Sequence, residues 1–193
     1  MYVATLSQPT ESKIMKKTLR FLLAFLIAFA LLMVVRVVGF TIYTINGTGL
    51  EPTFQAGDRI VVNRWSYGLR VGKKDGFFDY GRIVRRPIRK GDLVAFELPQ
   101  DRKQILICRC KALPGDTINY EGQTLVVPSL DDCADGDYYW LESVNPANAV
   151  DSKTLGFISE EFIIGRAFMV VYSHEPQSSV WDGWRTNRML LPL

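Results

Sequence analysis

The chain has 193 residues, enough for one domain with its own core and short for two. An apolar share of 48% and a charged share of 22% describe a globular protein with one apolar block added, and exclude coiled-coil, low-complexity and disordered classes. The net charge of +3 arises at the front: residues 1–40 carry Lys13, Lys16, Lys17, Arg20 and Arg36 against Glu11 alone, so the remainder sums to −1 and offers nucleic acid no electrostatic footprint.

In chain order, residues 1–12 read as a disordered start, and 1–15 as a tail on the cytoplasmic side. Phe21 to Val35 is uninterrupted apolar sequence that resumes after Arg36 through Phe40. About 20 such residues rising ~1.5 Å each cross a ~30 Å hydrocarbon core. A basic start followed by an apolar run also opens a cleavable signal peptide, but no small-x-small cleavage site follows and the run is longer than a signal core. Residues 16–40 are therefore expected to be a retained anchor, with Arg36 snorkelling to the headgroups. The basic residues before the span predict the N-terminus in the cytoplasm, with residues 41–193 on the other side of the membrane.

From Phe40 onward, short β-branched and aromatic runs alternate with turn signals. Thr41 to Ile45 is the first, and Arg59 to Val62 follows the turn Gly57-Asp58. Leu93 to Leu98 follows Gly91-Asp92, and Gln104 to Cys110 leads to Leu113-Pro-Gly-Asp116. Asp137 to Glu142 and Phe162 to Tyr172 are the later strands. This pattern predicts a mainly antiparallel β domain behind one transmembrane helix. Tyr67 to Pro87 reads as an exposed excursion, and the basic run Arg82, Arg85, Arg86, Arg89, Lys90 as a solvated loop. Of the three cysteines, Cys108 and Cys110 fall on one face of a strand as small buried hydrophobes, and with Cys133 the odd count permits at most one internal disulfide.

Five segments carry a resemblance. Gly47-Thr-Gly-Leu-Glu-Pro-Thr53 is similar to an S-x-S-M-x-P-T box. Gly57 to Asn63 with Tyr67-Gly-Leu-Arg70 resembles a second box, and Arg89-Lys-Gly-Asp-Leu-Val-Ala-Phe96 resembles R-x-G-D-I-V-x-F. Ile107 to Asp116 resembles a lysine-bearing I-K-R-V-x-G-L-P-G-D box, and Asn148 to Gly156 resembles N-S-x-D-S-R-x-x-G. In this order, behind an N-in anchor, they resemble bacterial signal peptidase I over residues 36 to 170.

The resemblance implies a signal-peptidase-like β domain on the periplasmic face of the inner membrane, with neither cofactor nor metal. Its chemistry needs a serine nucleophile, a lysine made basic by burial, a serine that orients the lysine, and a further hydroxyl at the oxyanion. Carried onto this chain, those positions hold Gly49, Cys108, Ala149 and Gly47, so none of the four groups is present. Lys111 faces away from Cys108 along the strand, and the single histidine, His174, is remote. Thr48, Ser143 and Ser152 are other hydroxyls, without a lysine placed by the motif. The framework is kept at Pro52, Gly57, Asp58, Gly91, Asp92, Pro114, Gly115, Asp116, Asp151 and Ser152, with Asp151 and Lys153 in place of an Asp–Arg pair. The resemblance assigns an apolar cleft wall for small side chains to Tyr43, Ile45, Leu50, Leu106 and Ile107; plain core packing is the alternative for these residues.

Three functions remain open at this point. One is a catalytically inactive relative that binds signal-peptide C-regions or modulates an active signal peptidase. Another is an active signal peptidase with relocated catalytic residues. The third is a structural envelope protein. Expected partners are membrane lipid, signal peptides of exported proteins and an active peptidase, and not nucleic acid.

Overall fold

The computed structural model describes residues 10–46, 50–72, 77, 79–132, 136–145, 150–179 and 181–193, with the side chains of 10–14 and 35–38 left out. The chain divides into two compact units, Met1–Val38 and Gly39–Leu193.

The first unit is the helix α1 (Thr10–Gly39), which starts inside the expected disordered tail. Its stretch Met15–Val34 is long and apolar enough to cross a membrane. Leucine, phenylalanine and isoleucine side chains are exposed on every side of it, a distribution that suits lipid and not water. The Arg36 side chain lies outside the described set.

The second unit is mainly antiparallel β. Its strands are β1 (Phe40–Thr44), β2 (Asp58–Asn63), β3 (Leu69–Val71), β4 (Gly81–Ile83), β5 (Leu93–Leu98), β6 (Asp101–Ala112), β7 (Thr117–Tyr120), β8 (Gln123–Val126), β9 (Tyr138–Ser143), β10 (Ile158–Ser159), β11 (Ile163–Ser173) and β12 (Leu191–Pro192), with a short helix α2 (Ser152–Leu155) before β10. Among the described residues the main sheet runs β1-β2-β11-β5-β6-β9-β10, with β12 on β11; β3-β4 and β7-β8 are separate two-stranded sheets.

Both faces of this sheet are covered. Leu93 and Ala95 of β5 join Ile45, Phe54, Ile60, Val62 and Ile107 in one core cluster. Val94 and Phe96 join Cys108, Cys110, Leu141 and Tyr67 in a second, on the opposite face. Burial on two faces explains why β5 reads as a continuous apolar run and not as an alternation. Each fully buried residue such as Phe96 or Ile60 contributes roughly 1.5–3 kcal/mol.

Three of the four Gly-Asp pairs share one device. At Gln55–Asp58, Arg89–Asp92 and Leu113–Asp116 the last residue's N–H donates to the carbonyl three positions back, at 3.0, 3.1 and 3.0 Å. The glycine sits at φ +89, +91 or +82°, as the third position of a type II turn requires. The aspartate then accepts the amide of the turn's first residue, at 2.9, 3.1 and 2.6 Å.

The stretch from Tyr67 to Pro87 is the expected exposed excursion only in part: Phe77, Asp79 and residues 83–87 are exposed, whereas Tyr67, Arg70 and Arg82 are tied into the fold. Tyr67 is buried and donates to Asp92 at 3.1 Å. Arg70 of β3 pairs with Glu97 and donates to the Glu161 carbonyl at 2.8 Å. Arg82, expected to be solvated, is 1% exposed in its side chain; it meets Glu160 at 3.2 Å and donates to the carbonyls of Gly68, Glu160 and Ile163. Apart from the Gly68 carbonyl, the groups that hold it, Glu160 and the Ile163 carbonyl, come from about 80 positions further along the chain, beyond the reach of a local pattern. Arg86 and Arg89 do stay exposed.

Candidate functional site

A cleft of about 530 Å³ opens between the end of β1 and the first half of β6. Tyr43, Ile45, Leu50, Leu106, Ile107 and Cys108 all line it, so the residues assigned to a cleft wall come together along one groove. Ile45 and Ile107 are buried; Tyr43, Leu50 and Ile105 pack against the same cluster as partly buried walls. Lys103 and Gln104 line the start of β6, while Ser143 and Val150 lie at the Cys108 end. Ile105 was legible in principle, because it shares the face of Ile107 two residues on. Ser143 and Val150 were not, because only the β6–β9 register brings Ser143 opposite Cys108.

The groove is bordered by two free strand edges. β6 pairs with β9 only from Cys108 onward, so among the described residues Lys103–Ile107 has no partner strand on that side. Among the described residues β1 is the outer strand of the sheet and pairs with β2 alone. Unpaired backbone groups on either side of an apolar floor can accept an extended chain by strand addition.

Among the four positions assigned to catalytic groups, Cys108 is described; Gly47, Gly49 and Ala149, together with Thr48 and Cys133, lie outside the described residues. Cys108 is 2% exposed, with its Sγ 4.0 Å from the Val150 carbonyl. Burial pushes its thiol up to about 12, assisted by the negative charge of Asp151. At neutral pH only about one thiol in 10⁵ is then ionised, and the thiolate is the reactive form. Cys110 is likewise buried, unbridged and pushed up to about 12, by burial first and by Asp92 and Asp116 after it. Lys111, between buried Cys110 and Ala112, is exposed on the other face. His174 is occupied elsewhere: its Nε2 lies 3.1 Å from the Ser179 carbonyl and its ring meets Trp184 edge-on at 5.0 Å.

The framework residues hold the cleft's surroundings. Asp58 is fully buried, and Arg188 donates to it at 3.1 and 2.6 Å while also holding the Thr53 carbonyl at 2.8 Å. Burial alone would raise the Asp58 carboxyl; bonds from Arg188, Ser173 and Gln55 outweigh it and hold it below its usual range. Asp92 meets Arg166 at 3.3 Å, and Asp116 meets Lys90 at 2.9 Å. Pro52 sits in the turn that leads from Leu50, whose carbonyl receives the Phe54 amide at 3.0 Å. Asp151 caps α2, and its carboxylate takes the backbone amides of Lys153 and Ser143, both at 2.9 Å. Its bond to residue 153 thus runs through the main chain, where the sequence suggested a side-chain ion pair. Ser152 Oγ accepts the Leu141 amide at 2.8 Å and ties the same loop to β9.

A family model described as signal peptidase, peptidase S26, matches residues 18–131. The chain is 25% identical over 134 residues to mitochondrial inner membrane protease subunit 2 of Saccharomyces cerevisiae, covering 66% of each. It is 26% identical over 185 residues to signal peptidase IB of Staphylococcus aureus strain COL, covering 78% of this chain and 87% of the relative. It is 33% identical over 78 residues to signal peptidase I of Pseudomonas fluorescens, covering 40% of this chain and 26% of that protein. The chain therefore spans about two thirds of the yeast relative's length and about a quarter of the Pseudomonas one.

Proposed function

From a chain that belongs to the signal peptidase family, peptidase S26, we propose a catalytically silent function: a membrane-anchored module that holds extended peptides with small side chains, such as signal-peptide C-regions, in a cleft that does not cut them. The observation that carries this reading is Cys108. It lies in the groove where the family's base belongs, buried, neutral and beside a carbonyl, with no lysine or histidine at that end of the cleft among the described residues. Glycine at positions 47 and 49 and alanine at 149 supply no hydroxyl, whatever their placement.

An active enzyme with relocated groups is the rival. Ser143 is the hydroxyl best placed for it, opposite Cys108. Yet the thiol opposite it is neutral, the Asp151 carboxylate beside it is taken by the backbone amides of Ser143 and Lys153, and the cleft lysine among the described residues, Lys103, starts five positions down β6, roughly 16 Å away. A serine without a base within hydrogen-bond reach stays a weak nucleophile.

The anchor would place the domain on the outer face of the cytoplasmic membrane, where exported chains pass and where an active signal peptidase could be a partner. The test is cleavage of a signal-peptide substrate in detergent, beside an intact Ser/Lys peptidase. We expect no product above background, together with retention of the uncut peptide. Turnover by the unmodified chain refutes the silent reading, and absence of both turnover and binding leaves a structural envelope role.

A further inference from the structure

The Cys108 end of the cleft is built from acceptors backed by a buried negative charge. Cys108 and Ser143 are paired across the β6–β9 register. The Val150 carbonyl faces the thiol at 4.0 Å, and Ser143 Oγ accepts the Asn145 amide at 3.3 Å. One bond behind them lies Asp151, 1% exposed, its carboxylate held by the amides of Ser143 and Lys153 at 2.9 Å each. Among the described residues no ion pair neutralises it, and the Lys153 side chain is exposed. Burial strengthens the field of such a charge, because little water screens it. Cys108 registers this field, since Asp151 adds to burial in holding its proton. The cleft's other end carries Lys103, with the Asp101 carboxylate on its backbone amide at 3.0 Å, so no buried charge lines that end among the described residues.

We propose that the end of the cleft formed by Cys108, Ser143 and Val150 is a subsite for a primary ammonium group, carried as a lysine side chain by an extended peptide laid along β6. This inference rests on the peptide-holding function proposed above and adds, beside the small side chains, one basic side chain that this end of the cleft selects. An ammonium offers three donors and no acceptor, which suits a site that presents the second lone pairs of the Val150 carbonyl and Ser143 Oγ, the first being taken by the Cys108 thiol and the Asn145 amide. The four-carbon stem packs on Leu50, Leu106 and Ile107, as lysine stems do on apolar walls. An acidic side chain would meet the field of Asp151 and find no donor but a thiol.

The experiment uses the full chain in detergent. It measures the affinity of three capped peptides that share a backbone and two alanines and differ in one side chain, lysine, norleucine or glutamate. Lysine should bind about tenfold tighter than norleucine, the scale of one charge-assisted hydrogen bond, and glutamate weakest. Asp151→Asn keeps an N-cap acceptor, so it should fold, and should bring the lysine-to-norleucine ratio to within about twofold of unity. As a second measurement on the unmodified chain, n-butylamine should slow alkylation of Cys108 more than n-butanol does. Equal affinity for lysine and norleucine overturns this inference and leaves the peptide-holding function standing; failure of all three peptides to bind overturns both.

Discussion

Replacing Asp58 by asparagine leaves the Arg188 guanidinium against a neutral amide inside the fold. The carboxylate is fully buried and receives Nε and Nη2 of Arg188 at 3.1 and 2.6 Å as well as the Gln55 amide at 2.9 Å. Removing one partner of a buried pair costs about 3–5 kcal/mol; asparagine can still accept the Gln55 amide, which argues for the lower end. Against a total stability of about 5–15 kcal/mol that loss is large, and at ~2–4 °C per kcal/mol it lowers Tm by roughly 6–12 °C. Thermal melts of the full chain in detergent, followed by far-UV circular dichroism, read this directly. Adding Arg188→Met should recover part of the loss, since it removes the orphaned charge. The pH dependence has a definite sign. The folded carboxyl is held below its ordinary value of 3.8, so its contribution is complete above that value and fades as the pH falls through the depressed folded value. A shift under about 2 °C for Asp58→Asn would refute the reasoning.

Gly57→Ala places a Cβ 1.8 Å from the His174 carbonyl at φ +89°, whereas Gly91→Ala at φ +91° meets nothing within 4 Å. Gly91→Ala should therefore cost only the left-handed backbone strain of about 1–2 kcal/mol, and Gly57→Ala distinctly more; equal losses in Tm would count against the close approach. Cys108, pushed up to about 12, should react with iodoacetamide at pH 7.5 far more slowly than free cysteine, faster as the pH rises, and more slowly still with peptide bound. A rate like that of free cysteine would contradict its burial. The protein should remain with membranes through carbonate extraction, and protease added from outside the cytoplasmic membrane should digest the β domain. A protected domain would reverse the proposed orientation.

Much of this protein was determined locally and is legible without a structure. The apolar helix follows from an unbroken run of residues that lipid accepts on every side. The three Gly-Asp turns follow from a glycine that can take positive φ and an aspartate whose short side chain reaches back three residues, so both partners lie within one tetrad. The strong strands announce themselves through β-branched and aromatic runs. The β7–β8 hairpin does not, because its turn is Glu121-Gly122, with both residues at positive φ, and lacks the usual Asn-Gly or Asp-Gly signal.

What only the tertiary structure decided is which distant groups meet. Arg188 closes on Asp58 from 130 positions away, and Arg82 leaves solvent for Glu160 and the Ile163 carbonyl. The cleft needs β1 and β6 to border one groove although β2, β11 and β5 lie between them in the sheet. The pairing of Ser143 with Cys108 depends on the β6–β9 register, which a one-residue slip would turn to the opposite face. Local preference acts through a residue's own backbone and its nearest neighbours. The field at Cys108 is instead the sum of a buried strand and of a carbonyl and capping carboxylate, Val150 and Asp151, brought from about 40 positions away, and no local stretch of sequence contains that sum.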